Sequence, residues 1–259
     1  MNETPDTLLA PADPPAFTVD GGNGASPFLF VADHAGRRIP QRLGQLGLAD
    51  AELERHIAWD IGAGAVACLI GKALNAVVIR QTYSRLVIDC NRRPGSATSI
   101  VKLSESTPVP GNLGISDDDS RARLEEIFKP YHNRIAQELD RRRAAARPAI
   151  LISVHSFTPV FKSVPRPWHV GVLHNRDPRC AHILLELLNC EDGLVVGDNE
   201  PYSLSDESDY TIPIHGEQRG LPHVELEIRQ DLISQEAGQQ KWAALLVRVL
   251  PQVYERLKS

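Results

Sequence analysis

Short apolar runs alternate with stretches of helical spacing along most of this chain. Pro27-Phe28-Leu29-Phe30-Val31-Ala32 is continuously apolar and breaks off at Asp33-His34-Ala35-Gly36, which predicts a buried strand whose C-terminal end opens into a loop. In open α/β sheets that edge is where ligands bind. From Asp50 to about Asn75 the residues Leu53, Ile57, Ile61, Ala65, Cys68 and Leu69 recur at helical spacing, so this segment reads as one helix with Asp50 as its N-cap. Residues 76–80 read as a second strand and 84–89 as a third, the latter running into polar Asn91-Arg92-Arg93-Pro94. Residues 100–114, rich in Pro, Ser, Thr and Gly, read as a long loop. Ser116 then caps a helix to about Ala146, with Leu124, Ile127, Phe128, Tyr131, Ile135 and Leu139 on one face and His132 as a surface or packing residue.

Residues 149–154 form the most strongly marked strand, which leads into His155-Ser156-Phe157. Beyond it the pattern predicts strands at 170–173, 194–196 and 224–228 and helices at 180–188 and 234–257. Strands alternating with helices, without an internal repeat or a central linker, predict one three-layer α/β domain over residues 26–259, preceded by a flexible arm over 1–25.

Composition narrows the class. With 42% hydrophobic and 24% charged residues in 259, the chain is an ordinary folded protein rather than a disordered one. The formal net charge is -5 and the basic residues are scattered apart from runs such as Arg141-Arg142-Arg143, so neither nucleic acid nor an anionic membrane is an expected partner. No window approaches the roughly 18 apolar residues that span a bilayer. The acidic, proline-rich start is unlike a secretory signal, and a cytoplasmic location is expected. Cys68, Cys90, Cys180 and Cys190 lack a C-x-x-C pairing and read as free thiols, three of them in apolar surroundings. Serine-hydrolase elbows, P-loops and dinucleotide fingerprints have no matching segment.

Chemistry concentrates at the predicted strand ends. His34 and His155 each follow a buried strand, where a neutral imidazole could present a nitrogen to a shared metal. A catalytic zinc site usually adds a carboxylate to two histidines, and Asp60, set in the apolar stretch 57–63, is the favoured candidate. Asp33, Glu52, Glu54 and His56 are alternatives, and a buried salt bridge to an arginine is the bland reading of Asp60. Arg85, Asn91 and Arg92 suggest an anion-recognition cluster, unless Arg85 simply pairs with Asp89. Glu225 and Glu227 share one strand face, where one could be a general base and Arg229 could neutralise the other. Residues 197–202, ending in Tyr202, could close over an anionic substrate together with His215, or form an ordinary turn-rich connection.

Five ordered blocks carry a family resemblance: Asp33-His34-Ala35-Gly36-x-x-Ile39-Pro40, residues 84–92, Ser153-Val154-His155-Ser156-Phe157, Gly197-Asp198-Asn199-Glu200-Pro201-Tyr202, and residues 220–227. Together they resemble the N-formylglutamate amidohydrolase family over roughly residues 26–250. The resemblance implies a zinc carboxypeptidase-like (phosphorylase/hydrolase-like) α/β fold, similar also to aspartoacylase-type deacylases, with a mixed, mainly parallel sheet between helices and one Zn2+ per chain at its edge. It implies that Asn91 and Arg92 hold a substrate carboxylate, that Arg85 polarises the scissile carbonyl or clamps a second carboxylate, and that Glu227 is the base. The implied reaction is amide hydrolysis of a small anionic acyl-amino acid, N-formyl-L-glutamate giving formate and L-glutamate at the end of histidine breakdown. The carboxypeptidase-like relatives carry a glutamate three residues after the first histidine, where this chain has Arg37. Since arginine cannot ligate zinc, the carboxylate ligand must come from elsewhere, as Asp60 would supply. A zinc peptidase acting on peptide or peptidoglycan-type substrates and a metal-free binding protein on the same fold are the competing expectations.

Overall fold

The computed structural model describes residues 7–22 and 24–259. Its main sheet has seven strands: β1 (Phe17–Asp20), β2 (Phe28–Ala32), β3 (Val77–Gln81), β4 (Ile150–Phe157), β5 (Val170–Leu173), β6 (Val196–Asp198) and β7 (His223–Arg229), in the order β1-β3-β2-β4-β7-β5-β6. The pairs β2–β3, β2–β4, β4–β7 and β5–β6 are parallel, while β1–β3 and β5–β7 are antiparallel. The sheet is therefore mixed and mainly parallel, as expected.

Successive side chains on a strand point to opposite faces, and here both faces are covered. Phe28, Phe30, Val78, Ile152 and Leu226 pack on one side with α2 (Ala63–Ala73), α5 (Arg179–Asn189) and α6 (Glu236–Lys258). On the other side Leu29, Val31, Ile79 and Leu151 meet Ile127, Phe128, Tyr131, Ile135 and Leu139, the apolar stripe read from the sequence. Burial on both faces is why these strands appear as unbroken apolar runs. The layers are helices, sheet, helices.

Local departures have physical causes. The one helix expected over 50–75 is two, α1 (Asp50–Leu53) and α2, separated by a turn in which Gly62 takes φ 82°. A Cβ there would also lie 2.1 Å from the Ile233 carbonyl oxygen, so only glycine fits. The break moves Asp60 off a helix and into the turn before α2. Asp50 is the first helical residue, with Ala49 at the cap. Residues 84–89 are not a strand. Leu86, Val87 and Ile88 are all buried, but in a series of turns whose amides bond to Ala58, Arg38 and Ser99 carbonyls, and a short apolar run does not by periodicity alone distinguish the two.

The helix expected over 116–146 comprises α3 (Asp117–Arg123), a π-helical turn at Leu124–Phe128 and α4 (Lys129–Ala144), with Ser116 Oγ accepting from the Asp119 amide as its cap. The strand expected at 194–196 lies two residues later. Of the arm expected over 1–25, residues 1–6 and 23 lie outside the described residues; the rest includes edge strand β1, and Leu8 is buried. No helix among the described residues is long and apolar enough to cross a membrane.

Candidate metal centre and active-site cleft

The sheet places Val31 opposite Ser153, Glu225 opposite Ser153 and Glu227 opposite His155. Along the face that buries Leu29, Val31 and Leu151, the side chains therefore change toward the strand ends to Asp33, Ser153, His155, Glu225 and Glu227. All five are buried. The apolar core and the polar cluster are successive stretches of one surface.

His34, in the loop after β2, and His155, on β4, lie with ring centroids 4.9 Å apart. Asp60 reaches between them from the turn before α2, which is held by its amide donating to the His34 carbonyl at 2.9 Å. Its Oδ2 is 2.9 Å from His155 Nδ1 and 3.4 Å from His34 Nδ1. One ligand atom from each of these three residues lies within 4.8 Å of the others. His34, Asp60 and His155, separate in the sequence, are thus brought together as expected. His56 does not replace Asp60, because its Nε2 faces Glu105 at 3.0 Å. Glu52 is taken up by Arg55 and Thr107 and Glu54 by Arg37.

The surrounding hydrogen bonds prepare these rings for a cation. His34 Nε2 lies 2.7 Å from Asp89 Oδ1, and His155 Nε2 lies 3.2 Å from Asp33 Oδ2 and 2.9 Å from Ser153 Oγ. With a metal bound, Nε2–H would donate to those carboxylates and the two Nδ1 atoms, which both face Asp60, would be the ligand atoms; a carboxylate behind a ligating imidazole is the usual support of a metal site. Buried His34 Nδ1 has no hydrogen-bond partner. Negative charge is also in excess: Asp33, Asp60, Asp89, Glu225 and Glu227 are all buried, whereas Arg85 is the cation that contacts them, 2.8 Å from Asp89 Oδ2 and 3.5 Å from Asp60 Oδ1. Two imidazoles and one carboxylate suit a divalent ion such as zinc. These residues fit a metal.

Electrostatics separate the acids into two groups. Burial opposes ionisation of Asp33, Asp60 and Asp89, but the neighbouring histidines, with Arg85 beside Asp89, more than offset it and hold all three below the usual carboxylate range. Glu225 and Glu227 have too little compensation. Burial, aided by nearby acids, lifts Glu225 well above the usual range and Glu227 up to about 7. Burial works against protonation of His155 too, yet Glu225, Asp33 and Asp60 raise it well above 6.5.

These groups open into a cleft of about 580 Å³ lined by His34, Asp60, Arg85, Arg92, His155, Tyr202 and Glu227 among others, a size typical of small-molecule sites. Arg85 both pairs with Asp89 and faces the cleft. Arg92 donates to the Asn91 carbonyl at 2.9 Å. Asn91 lines the cleft, but its amide is used internally: Nδ2 donates to Asp209 Oδ1, and Oδ1 accepts from the Tyr210 and Thr211 amides. Tyr202 lies in the wall, its hydroxyl accepting from Arg166 at 3.0 Å.

His215 is a correction: it is buried behind the site, its Nε2 3.0 Å from His132 Nδ1, in a π-helical turn over Ile212–Glu217. Its side chain is too far into the apolar layer to line the cleft. Arg229 does not neutralise Glu225, since it pairs with Asp231 and donates to the Arg166, Pro167 and Trp168 carbonyls. Sequence reasoning missed Asp209 and Thr211, the latter donating to Asp33 Oδ1 at 2.8 Å, because they stand in a polar stretch without periodicity. Ser153 had a signal, two residues before His155 and on its face.

Comparison with known proteins now decides the family. The sequence matches the N-formylglutamate amidohydrolase family over residues 26–234. The chain belongs to that family. An N-formylglutamate deformylase of Pseudomonas putida is 30% identical over 143 residues, spanning 51% of this chain and 52% of that protein, about half of either length. A gene product of Agrobacterium tumefaciens has a crystal structure that is 34% identical and superposes with a TM-score of 0.94, covering 97% of this chain and 100% of that one. The crystal structure of N-formylglutamate amidohydrolase from Ralstonia eutropha JMP134, at 17% identity, shares the fold with a TM-score of 0.67 over 94% of this chain and 98% of that one. Each residue of the His34–Asp60–His155 cluster, and both arginines of the cleft, fall inside the span matched to the N-formylglutamate amidohydrolase family.

Proposed function

We propose that this chain is a zinc-dependent amidohydrolase acting on a small anionic N-acyl amino acid, N-formyl-L-glutamate being the substrate to which its family membership points, with formate and L-glutamate as products. The observation that carries this reading is the convergence of His34, Asp60 and His155, each imidazole backed by a carboxylate, at the edge of a cleft that also holds Glu227 and two arginines. A zinc ion held by these three residues would polarise the acyl carbonyl and acidify the attacking water.

The chain's own groups supply the rest. Glu227 stands beside His155 in the sheet register, buried and with Oε2 unpartnered, which suits a base that takes a proton from water and returns it to the departing amine. Asp89 holds the Arg85 guanidinium at the cleft wall, where its charge would stabilise the developing oxyanion; such an interaction is often worth about 3 kcal/mol of barrier. Arg92 offers its remaining donors to a substrate carboxylate in the planar geometry that carboxylates favour. Asn91 contributes by fixing residues 209–211 rather than through a free amide.

The test is formate release from N-formyl-L-glutamate by protein supplied with zinc. Activity should vanish on exhaustive chelation and return with zinc. Full activity after chelation, or no hydrolysis of any N-acyl amino acid, would overturn the assignment.

A further inference from the structure

Arg166 is only 9% exposed, and among the described residues no carboxylate pairs with its charge. Its guanidinium instead lies 4.7 Å from the Phe161 ring centre, 4.8 Å from that of Tyr202 and 5.8 Å from that of Phe157, and donates to Thr158 Oγ1 at 3.3 Å and to the Tyr202 hydroxyl at 3.0 Å. Burying a cation is costly, and ring faces offset part of that cost, more strongly where water is excluded. The arrangement stands beside the active-site cleft, because Tyr202 lines that cleft with Arg85 and Glu227. We propose that Arg166 is a positioning residue for hydrolysis, holding the Tyr202 hydroxyl so that its hydrogen points into the cleft and is donated to the acyl oxygen of the substrate.

The inference rests on the amidohydrolase reading and deepens it. A guanidinium carries donors and no lone pair, so at the Arg166 contact the Tyr202 oxygen accepts and its own hydrogen is left over. Among the described residues no protein group takes that hydrogen. An oxygen that accepts from a cation also becomes the stronger donor. Burial, aided by Glu227, raises the Tyr202 phenol above its ordinary range, while Arg166 and Arg85 pull it back. The phenol therefore keeps its proton at neutral pH, within electrostatic reach of Arg85, the residue assigned above to the same acyl oxygen. It donates a hydrogen bond there and transfers no proton.

Tyr202 lies between β6 and the π-helical turn, in a segment without helix or strand, and is 43% exposed, so its orientation depends on its contacts. Two features fix it. Gly171 stands opposite Glu227 in the register of β5 and β7, and a Cβ there would lie 2.0 Å from the Glu200 carbonyl oxygen, so the chain just before Tyr202 rests directly on β5 beside the proposed base. Arg166 is the other. Its carbonyl accepts from Arg229, two residues beyond Glu227 on β7, at 3.3 Å, and its amide donates to the Pro159 carbonyl at 2.8 Å. The base and the Tyr202 hydroxyl are thus both located by β7.

Steady-state kinetics on N-formyl-L-glutamate with zinc-supplied protein test this. Tyr202→Phe should lower kcat at least tenfold with KM within threefold, because a donor to the developing oxyanion acts mainly in the transition state. Arg166→Met should lower kcat at least fivefold at unchanged zinc content, and Arg166→Lys, which keeps a cation and its donors, should exceed the methionine variant at least threefold. In the Tyr202→Phe background Arg166→Met should cost less than a further twofold, since Arg166 acts through that hydroxyl. Should the methionine variant not fold, the same cycle is run with Arg166→Gln. Full kcat in Tyr202→Phe, a loss confined to KM, or losses that multiply in the double variant overturn the inference, while hydrolysis by the parent protein leaves the amidohydrolase reading intact. Hydrolysis of no N-acyl amino acid by the parent removes both.

Discussion

Two buried clusters of ionisable groups lie on the same molecule and are built on opposite principles. In α4, Arg142 and Glu138 are almost wholly buried, yet nearly everything around them is paired. Arg142 donates to Glu138 at 3.0 Å and to the Ser26, Pro27 and Phe28 carbonyls at 3.1, 2.9 and 3.0 Å, while Glu138 also accepts from Arg134 and Arg141. This ties α4 to the start of β2. The cluster around His34 and His155 has the reverse balance: acids outnumber cations, and His34 Nδ1, Glu225 Oε2 and Glu227 Oε2 are buried without partners. Burying an unpaired polar group is expensive. A cluster that matches its charges serves the fold, whereas one that leaves them unmatched is built for something to bind.

The largest effect should come from the unmatched cluster. Glu227→Gln should lower kcat by about 10²- to 10⁴-fold, the range for loss of a general base, with zinc content by elemental analysis unchanged and thermal stability not reduced. Unchanged turnover would remove Glu227 from the chemistry. Arg142→Met should do the opposite. Losing the donor to the Ser26, Pro27 and Phe28 carbonyls, while Glu138 keeps Arg134 and Arg141, should cost about 1–3 kcal/mol in urea unfolding, with zinc content and KM of the folded protein unaltered. If Arg142→Met instead released metal, the two clusters would not be separable.

The contrast also explains what could be read from the sequence. The approach of His34 and His155 followed from two apolar runs that each end at a histidine at one sheet edge; alternation put Glu225 and Glu227 on one strand face, and only the family resemblance singled out Glu227. Asp60 does lie with the two histidines, though not for the reason its sequence suggests. Its burial among apolar neighbours signalled a partnered carboxylate, but a continuous helix was expected where Gly62 breaks the chain, and it is the turn that aims Asp60 at the histidines. His215 was misplaced because a histidine in a polar loop looks like a ligand-facing group; only the packing of Ile212–Glu217 against α4 shows that its partner is His132. Asn91 looked free for substrate because sequence cannot show that Asp209, Tyr210 and Thr211 consume its amide.

Arg92 tests the boundary between the clusters. It is only partly used within the protein, through the Asn91 carbonyl and a distant Asp209 at 3.9 Å. Arg92→Ala should therefore raise KM for an anionic substrate by about 10- to 100-fold, as expected for losing a charge-assisted hydrogen bond, and change unfolding free energy by less than about 1 kcal/mol. An equal loss on an uncharged N-acyl amide would show that Arg92 does not hold a carboxylate.

The His132–His215 pair gives the finest distinction, because it lies behind the metal cluster but has internal partners. The rings stack at 5.2 Å with 12° between planes, and His132 Nε2 donates to the Cys90 carbonyl at 2.8 Å. Burial, against the pull of Asp33, holds His132 down to about 4 and His215 to about 3, while an unfolded histidine titrates near about 6.5. Both are then neutral in the folded protein at neutral pH. As pH falls below about 6.5 the unfolded chain takes up protons that the folded one refuses, so the stabilisation that is complete above 6.5 is lost toward 4. Between pH 7.5 and 5 the loss should be on the order of 2 kcal/mol per histidine, at about 1.36 kcal/mol per pH unit. His215→Gln should shrink this pH-dependent loss by about half of the pair's share in urea unfolding, while zinc content and KM at pH 7.5 remain as in the parent. An identical pH slope in both proteins would mean that the pair does not titrate on unfolding, and a raised KM would mean that His215 reaches the cleft after all.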